Sequence, residues 1–321
     1  MSALVTVVVP TRDRLPLLRT TVASVLGQVG VSVEVVVVDD GGREPVTEQL
    51  LGGDPRVRVL RNDASTGVSR ARNRGIEHSR SRWTACLDDD DLWAPDKLRR
   101  QLAALSTAGG SRWAMSGAAH VTGDGAVLRV LQPPPSGDVL ERLLRSNCVP
   151  GGGSGVLVET ALLQEVGGFS PDLAVLADWD CWLRLAERSP AAAVDRPDVG
   201  YRQHLGSMAQ DLTRSRAELD ELARRHAGAT ARTGSAPDAV AWQAHLERMA
   251  YRGGDARQGR LLSRELVLRH RRWRSAARPL LGLLPPRTTD RLSALATRWT
   301  DRELHAEAAQ WIGRQLALGQ P

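Results

Sequence analysis

Residues 4–42 read LVTVVVPTRDRLPLLRTTVASVLGQVGVSVEVVVVDDGG. Leu4–Val9 is a β-branched run stopped by Pro10. Leu15–Leu26 carries apolar residues at helical spacing, and Val33–Val38 is a second β-branched run ending in Asp39-Asp40-Gly41-Gly42. Strands with such continuous apolar character are buried on both faces, as in a parallel sheet covered by the helices of βαβ units. The alternation continues: Arg56–Leu60 predicts a third strand, Val68–His78 a helix, and Trp83–Leu87 a fourth strand running into Asp88-Asp89-Asp90-Asp91. Pro95 then opens another helix, with Asp96 in its first turn. The first hundred residues therefore predict an α/β fold.

Farther along, Ala114–Val121 and Ala126–Leu131 predict a β pair joined near Gly123-Asp124-Gly125. Gly155–Val158 predicts a strand, Leu162–Val166 a short helix, Trp179–Glu187 a helix and Asp198–Gln203 a last short strand. After residue 206 the pattern turns helical: Arg214–His226, Asp238–Tyr251, Arg257–Arg271, Thr289–Arg298 and Asp301–Leu316, with breaks at Gly228–Ala236, Gly253-Gly254 and Leu284-Pro285-Pro286. We expect one domain over 1–206 and an Arg-rich helical region over 207–321.

Charge follows that division. The 321 residues hold 43 basic and 37 acidic side chains, a net of +6, and the only Lys is Lys97. Residues 1–205 hold 23 basic and 25 acidic residues, whereas 206–321 hold 20 and 12, so the positive excess lies in the last third. Codon composition alone can favour Arg over Lys, but it does not cluster charge. Hydrophobic residues at 42% and charged ones at 25% exclude a wholly disordered chain. No window reaches about 18 uninterrupted apolar residues, which excludes a polytopic membrane protein. Cys86, Cys148 and Cys181 are far apart and odd in number, which argues against a zinc site or a disulfide framework and for a reducing cytoplasm. The N-terminus lacks the pattern of a secretory signal.

Two acidic clusters, Asp39-Asp40 and Asp88–Asp91, close predicted strands, and ligands of open α/β sheets bind beyond strand carboxyl ends. Asp91 alone would serve to cap the following helix. Four adjacent carboxylates instead call for a compensating cation, and Mg²⁺ or Mn²⁺ suits one or two carboxylates completed by substrate phosphates. That implies a nucleoside-diphosphate ligand. Arg70, Arg72 and Arg74 alternate along one helix, and Arg72 with Asn73 is the choice for pairing with diphosphate oxygens. Neither G-x-x-x-x-G-K nor G-x-G-x-x-G occurs, which disfavours an ATPase or a dinucleotide enzyme. In a third cluster, Asp178-Trp179-Asp180, the spacing pairs Asp180 with Arg184, while Asp178 either caps its helix or acts chemically.

Six segments in order resemble the family 2 glycosyltransferases of GT-A fold: VVVPTRDR (7–14), VVVVDDGG (35–42), GVSRARNRGI (67–76), CLDDDDLWAPDKL (86–98), EVGGFSPDL (165–173) with ADWDCWLRLAERS (177–189), and YRQHLGSMA (201–209). The resemblance covers about residues 4–206. It implies a GT-A-type Rossmann-like sandwich with a mainly parallel central sheet, here with a C-terminal helical extension. Pro10, Thr11 and Arg12 would lie along the nucleotide, and Asp40 would accept a hydrogen bond from its base. Arg72 would sit near the donor, Asp88 near the ribose or the metal, and Asp90 on the metal. Asp178 would be the general base, and His204 would approach the metal or diphosphate unless it is structural. The family often has an acidic residue before that base; here it is Ala177. The four-Asp run leaves the D-x-D register open by one residue.

The resemblance thus implies an inverting, metal-assisted transfer of a sugar from a nucleoside-diphosphate sugar, UDP among the candidates, to an acceptor hydroxyl. The acceptor, whether glycan, lipid-linked, peptide or small molecule, is set by loops around Gly151–Gly155 and Gly168–Ala177. The alternative is a non-catalytic nucleotide-sugar-binding or membrane-associated scaffold. Residues 257–287 carry nine Arg against Glu265 alone and contain Trp273 and Leu280–Leu284, which suits peripheral contact with an anionic membrane as well as a packed, solvated helix. Too few aromatics accompany these arginines for a nucleic-acid platform, so no nucleic acid is expected.

Overall fold

The structure, a computed structural model, describes residues 4–202, 212–252, 255–271 and 302–318. His204, the basic run beyond 271 and the helix expected at Thr289–Arg298 lie outside the described residues. Strand β1 (Leu4–Thr11) lies parallel between β2 (Ser32–Asp39) and β4 (Trp83–Cys86), with β3 (Val57–Arg61) outside β2. Residues alternate between two cores. Val5, Val7 and Val9 meet Leu18, Val22 and Val25 of helix α1 (Leu15–Leu26), whereas Val8, Val36 and Val38 share a core with Ala71 and Ile76 of α2 (Val68–Glu77). This two-sided burial is why these strands are apolar at every position. Helix α2 approaches so closely that a Cβ at Gly75 would lie 2.2 Å from Val8 Cγ1, so only glycine fits there.

The sheet continues as β3-β2-β1-β4-β8-β6-β9-β5, with β7 paired to β6. Strand β5 is Leu92–Trp93, β6 is Trp113–Val121, β7 is Val127–Leu131, β8 is Val156–Glu159 and β9 is Ala191–Arg202. The parallel half is β3 to β4. Beyond it, β8 runs antiparallel to both β4 and β6, and β9 is parallel to β6, so the sheet as a whole is mixed. The expected β6–β7 hairpin is present. Strand β9 is longer than the expected Asp198–Gln203 because β6 pairs with it from Ala191 to Arg202. The two-residue β5, too short for a periodicity signal, pairs with Val199 and Gly200 and draws the Asp88–Asp91 run toward the end of β9.

Helix α3 (Lys97–Thr107) covers the α1 face. Helices α4 (Leu140–Arg145), α5 (Thr160–Glu165) and α6 (Ala177–Ala186) contribute to the α2-side core. The C-terminal helices are α7 (Leu212–Arg225), α8 (Ala227–Thr233), α9 (Ala239–Arg252), α10 (Ala256–His270) and α11 (Arg302–Leu318). Helix α8 falls where Gly228–Ala236 predicts a break. Leu219, Leu222 and Ala229 of α7 and α8 enter the α2-side core, and Ala308, Trp311 and Ile312 of α11 pack on Leu92, Ala119 and Val121. The change of charge near 206 is therefore not a change of core. Helices α9 and α10 form a hairpin around Leu246, Ala250 and Leu262.

Candidate active site

Strand register assembles the first half of the site. Thr11 lies opposite Asp39, and Val8 opposite Cys86, so Thr11, Asp40 and Asp88 all emerge at one carboxyl edge. The chain order reverses between β1 and β4, and that is where a crevice opens in such sheets. A cavity of about 420 Å³ lies there. Pro10, Thr11, Arg12, Asp40, Arg72, Asp88 and Asp90, seven of the expected site residues, line it together with Arg14, Asp89, Tyr201 and Arg202.

The carboxylates differ in what holds them. Asp40 accepts from Asn62 Nδ2 (2.6 Å), Thr66 N and Oγ1 (both 2.9 Å), Ser65 Oγ (2.8 Å) and Gly67 N (2.9 Å). Burial alone would raise its pKa, but these hydrogen bonds outweigh it and hold the carboxyl at about 2. Asp40 thus organises the Ser65–Gly67 loop, and a base N–H reaching it would share an oxygen with these donors. Asp39 accepts from Gly42 N and Val46 N and pairs with Arg61, a structural role.

Within the aspartate run, Asp91 turns inward. It accepts from Ser154 Oγ (2.6 Å) and Arg202 N (3.0 Å), so it ties the run to β9 and does not cap α3. Burial, with Asp90 and Asp88 adding repulsion, pushes its carboxyl well up. Asp89 accepts from Thr11 Oγ1 (2.6 Å), and burial raises it to about 6. Asp88 pairs with Arg72, and Asp90 with Arg14 at 2.8 Å. Asp88, Asp89 and Asp90 all line the cavity, whereas Asp91 does not. Among the described residues no cluster of three metal-ligating side chains is gathered. A Mg²⁺ or Mn²⁺ at this wall would need one or two of these carboxylates together with substrate phosphates.

Arg72 is buried, opposed by desolvation yet kept charged by Asp88 foremost. Its Nε and that of Arg202 have no hydrogen-bond acceptor among the described residues. Buried donors without acceptors on a cavity wall suit an anionic ligand. Arg74 instead donates to Arg61 O, Arg70 is exposed, and Asn73 clamps Phe169 through both its N and O atoms. Asn73 therefore fixes the Gly168 loop and does not line the cavity.

Asp178 lines a second cavity of about 450 Å³, whose wall also includes Tyr201. Tyr201 is common to both cavities. The glycine turn at Gly151–Gly153 lies between them: a Cβ at Gly152 would lie 3.3 Å from Asp178 Oδ2, and one at Gly153 would lie 2.8 Å from Arg72 Nη2. Asp178 accepts from Trp179 N (2.7 Å) and Asn147 Nδ2 (3.4 Å). Burial raises its pKa, only partly offset by Arg72. Asp180 pairs with Arg184 at 2.7 Å, as its spacing predicts, and also meets His226. Arg14, Ser154 and Asn147 were not singled out in the sequence. Arg14 has the clearest signal, as the last residue of the 7–14 segment.

Residues 6–124 match the family model described as Glycosyl transferase family 2. The succinoglycan biosynthesis protein ExoO of Rhizobium meliloti (strain 1021) is 43% identical over 111 residues, 34% of this chain and 31% of that protein. An uncharacterized glycosyltransferase of Haemophilus influenzae is 28% identical over 185 residues, 57% of this chain and 62% of that one. The chain thus spans between about a third and two thirds of these relatives' length. Among solved structures, residues 1–349 of S. aureus TarS in complex with UDP match with a TM-score of 0.53 at 16% identity, covering 94% of this chain and 92% of that one. The likeness extends over nearly the whole chain, and the fold is the α/β sandwich of GT-A type.

Proposed function

We propose, from the match of residues 6–124 to the Glycosyl transferase family 2 model, that the chain moves a sugar from a nucleoside diphosphate to an acceptor hydroxyl, with inversion at the anomeric carbon. The observation that carries the reading is the pair of cavities sharing Tyr201, one lined by arginines and aspartates, the other holding Asp178. The donor occupies the first, its nucleotide along Pro10, Thr11 and Arg12 and its diphosphate toward Arg72 and Arg202. The TarS complex supports UDP as the nucleotide. Asp90, with Asp88 beside it, would hold a Mg²⁺ or Mn²⁺ against the diphosphate, where the cation supplies Lewis-acid stabilisation of the leaving group. Arg72 and Arg202 add fixed positive charge to the same oxygens.

The acceptor enters through the second cavity. Its hydroxyl oxygen bonds to the anomeric carbon as the bond to the diphosphate oxygen breaks, and its proton passes to Asp178. Burial makes Asp178 a stronger base than an exposed carboxylate, and a positioned base contributes on the order of 10²–10⁴-fold. A panel of UDP-sugars, incubated with Mn²⁺ and a glycoside acceptor pool and read by mass and anomeric NMR, tests the proposal. A product of inverted configuration is expected; binding of UDP without turnover of any donor would favour the scaffold reading.

One observation also favours peripheral membrane contact. On α10, Leu261 and Leu268 are exposed, and Arg257 and Arg264 share their helical face at spacings of four and three. No helix among the described residues is long and apolar enough to cross a membrane. Flotation with anionic but not neutral liposomes is expected, and equal recovery would count against it.

A further inference from the structure

We infer that Tyr201 contacts the transferred sugar, its phenol hydrogen-bonding a sugar hydroxyl at the point where the donor cavity meets the acceptor cavity. This rests on the reading above, in which the first cavity holds a nucleoside-diphosphate sugar and Asp178 activates the acceptor.

The place of Tyr201 follows from strand pairing. It is the penultimate residue of β9 and lies opposite His120 of β6. Its neighbour Gly200 faces α11, where a Cβ would lie 3.2 Å from Trp311 and 3.5 Å from Ile312. Successive residues of a strand point to opposite faces, so the Tyr201 ring projects away from α11 and toward the glycine turn at 151–153. A Cβ at Gly152 would lie 3.3 Å from Asp178 Oδ2 and 3.9 Å from Tyr201 Cε2. Cε2 adjoins the carbon that bears the hydroxyl, so the phenol end of the ring and the carboxylate of the proposed base flank the same point. One residue farther on, a Cβ at Gly153 would lie 2.8 Å from Arg72 Nη2.

The proposed base and the guanidinium assigned to the diphosphate thus stand over consecutive residues of one turn, with the phenol beside them. In the transfer, the bond that breaks joins the sugar to the diphosphate, and the bond that forms joins it to the oxygen held by Asp178. The anomeric carbon therefore sits between the Arg72 end and the Asp178 end of this turn, against the residue that lines both cavities. The phenol suits that contact. Its ring is braced by His120, at 5.0 Å between centroids and 39° between planes. Burial foremost, and then the charges of Asp91, Asp88, Asp90 and Asp178, keep it protonated, so it offers a sugar hydroxyl both a donor and an acceptor. Phenylalanine at this position would keep the ring and lose only the hydroxyl.

Calorimetry on the full chain with Mn²⁺ tests this, comparing UDP with UDP-glucose, UDP-galactose, UDP-N-acetylglucosamine and UDP-glucuronate in the wild type and in Tyr201→Phe. The sugar nucleotide that the wild type binds best relative to UDP should lose about three- to tenfold in affinity in the variant, the size of one hydrogen bond, while UDP itself stays within about twofold. A merely structural role would weaken UDP and the sugar nucleotide alike, and that result overturns the inference. A sugar nucleotide bound equally by both proteins overturns it too, and leaves the donor-site reading standing. If the wild type binds no UDP, the donor-site reading fails; if it binds UDP but no sugar nucleotide, the transfer reading fails; this inference falls with either.

Discussion

Asp178 and Asp180 lie two residues apart on one helix and differ in every partner. Asp180 is buried, and although burial would raise its pKa, His226, Arg184 and Ser170 hold it below the ordinary carboxylate range. Asp178 has weaker compensation, and burial drives it up. The second consequence is kinetic. Protonated Asp178 cannot accept the hydroxyl proton, so kcat/KM should fall on the acid side with an apparent pKa above the ordinary value near 4. The first consequence is thermodynamic. Asp180→Asn should cost about 3 kcal/mol at pH 7, because it leaves Arg184 and His226 facing a neutral amide. Since Asp180 is depressed in the folded state, the wild-type advantage is full above about pH 4 and fades as the pH falls through the folded value. Urea titrations of both proteins at pH 7 and pH 3 measure this. Spacing disclosed the Asp180–Arg184 pair in the sequence, as an i,i+4 contact. It gave no sign of His226, which arrives from the turn between α7 and α8, 46 residues away. Nor did it distinguish Asp90, on the cavity wall, from Asp91, turned inward onto Ser154, since four identical residues differ only in tertiary surroundings.

At the scale of elements, α6 carries the proposed base but has no side-chain cap of its own. Glu218 of α7 holds the segment that leads into it: its carboxylate accepts from Ala174 N, Val175 N and Leu176 N at 2.8–2.9 Å. Glu218→Gln would set an amide NH₂ against these donors and should cost about 1–3 kcal/mol. If Glu218 positions α6, kcat should fall while UDP affinity stays unchanged. An unfolding curve, a kcat and a UDP isotherm on one preparation would expose a merely structural role as lost stability at unchanged kcat. The parallel strands were legible because Val-rich runs buried on both faces announce themselves. Strand β5 and most of β9 were not: Leu92-Trp93 is too short for periodicity, and Ala191–Val194 becomes a strand only through its pairing with β6.

Across the whole molecule, the net charge of +6 conceals two regions of opposite sign, and their packing ignores that boundary. The helical third completes the molecule: α7 enters the α2-side core, α11 covers β9, and α9 closes the second cavity. Composition marked where the helices begin, but it carried no information on which of their faces would meet the sheet. The central claim is that the first cavity holds the donor and the second, which contains Asp178, holds the acceptor. It is tested most directly by Asp178→Asn, with single-turnover transfer and UDP affinity measured on the same protein. Transfer should fall by about 10²–10⁴-fold while UDP affinity stays within about threefold; transfer at the wild-type rate would contradict the account.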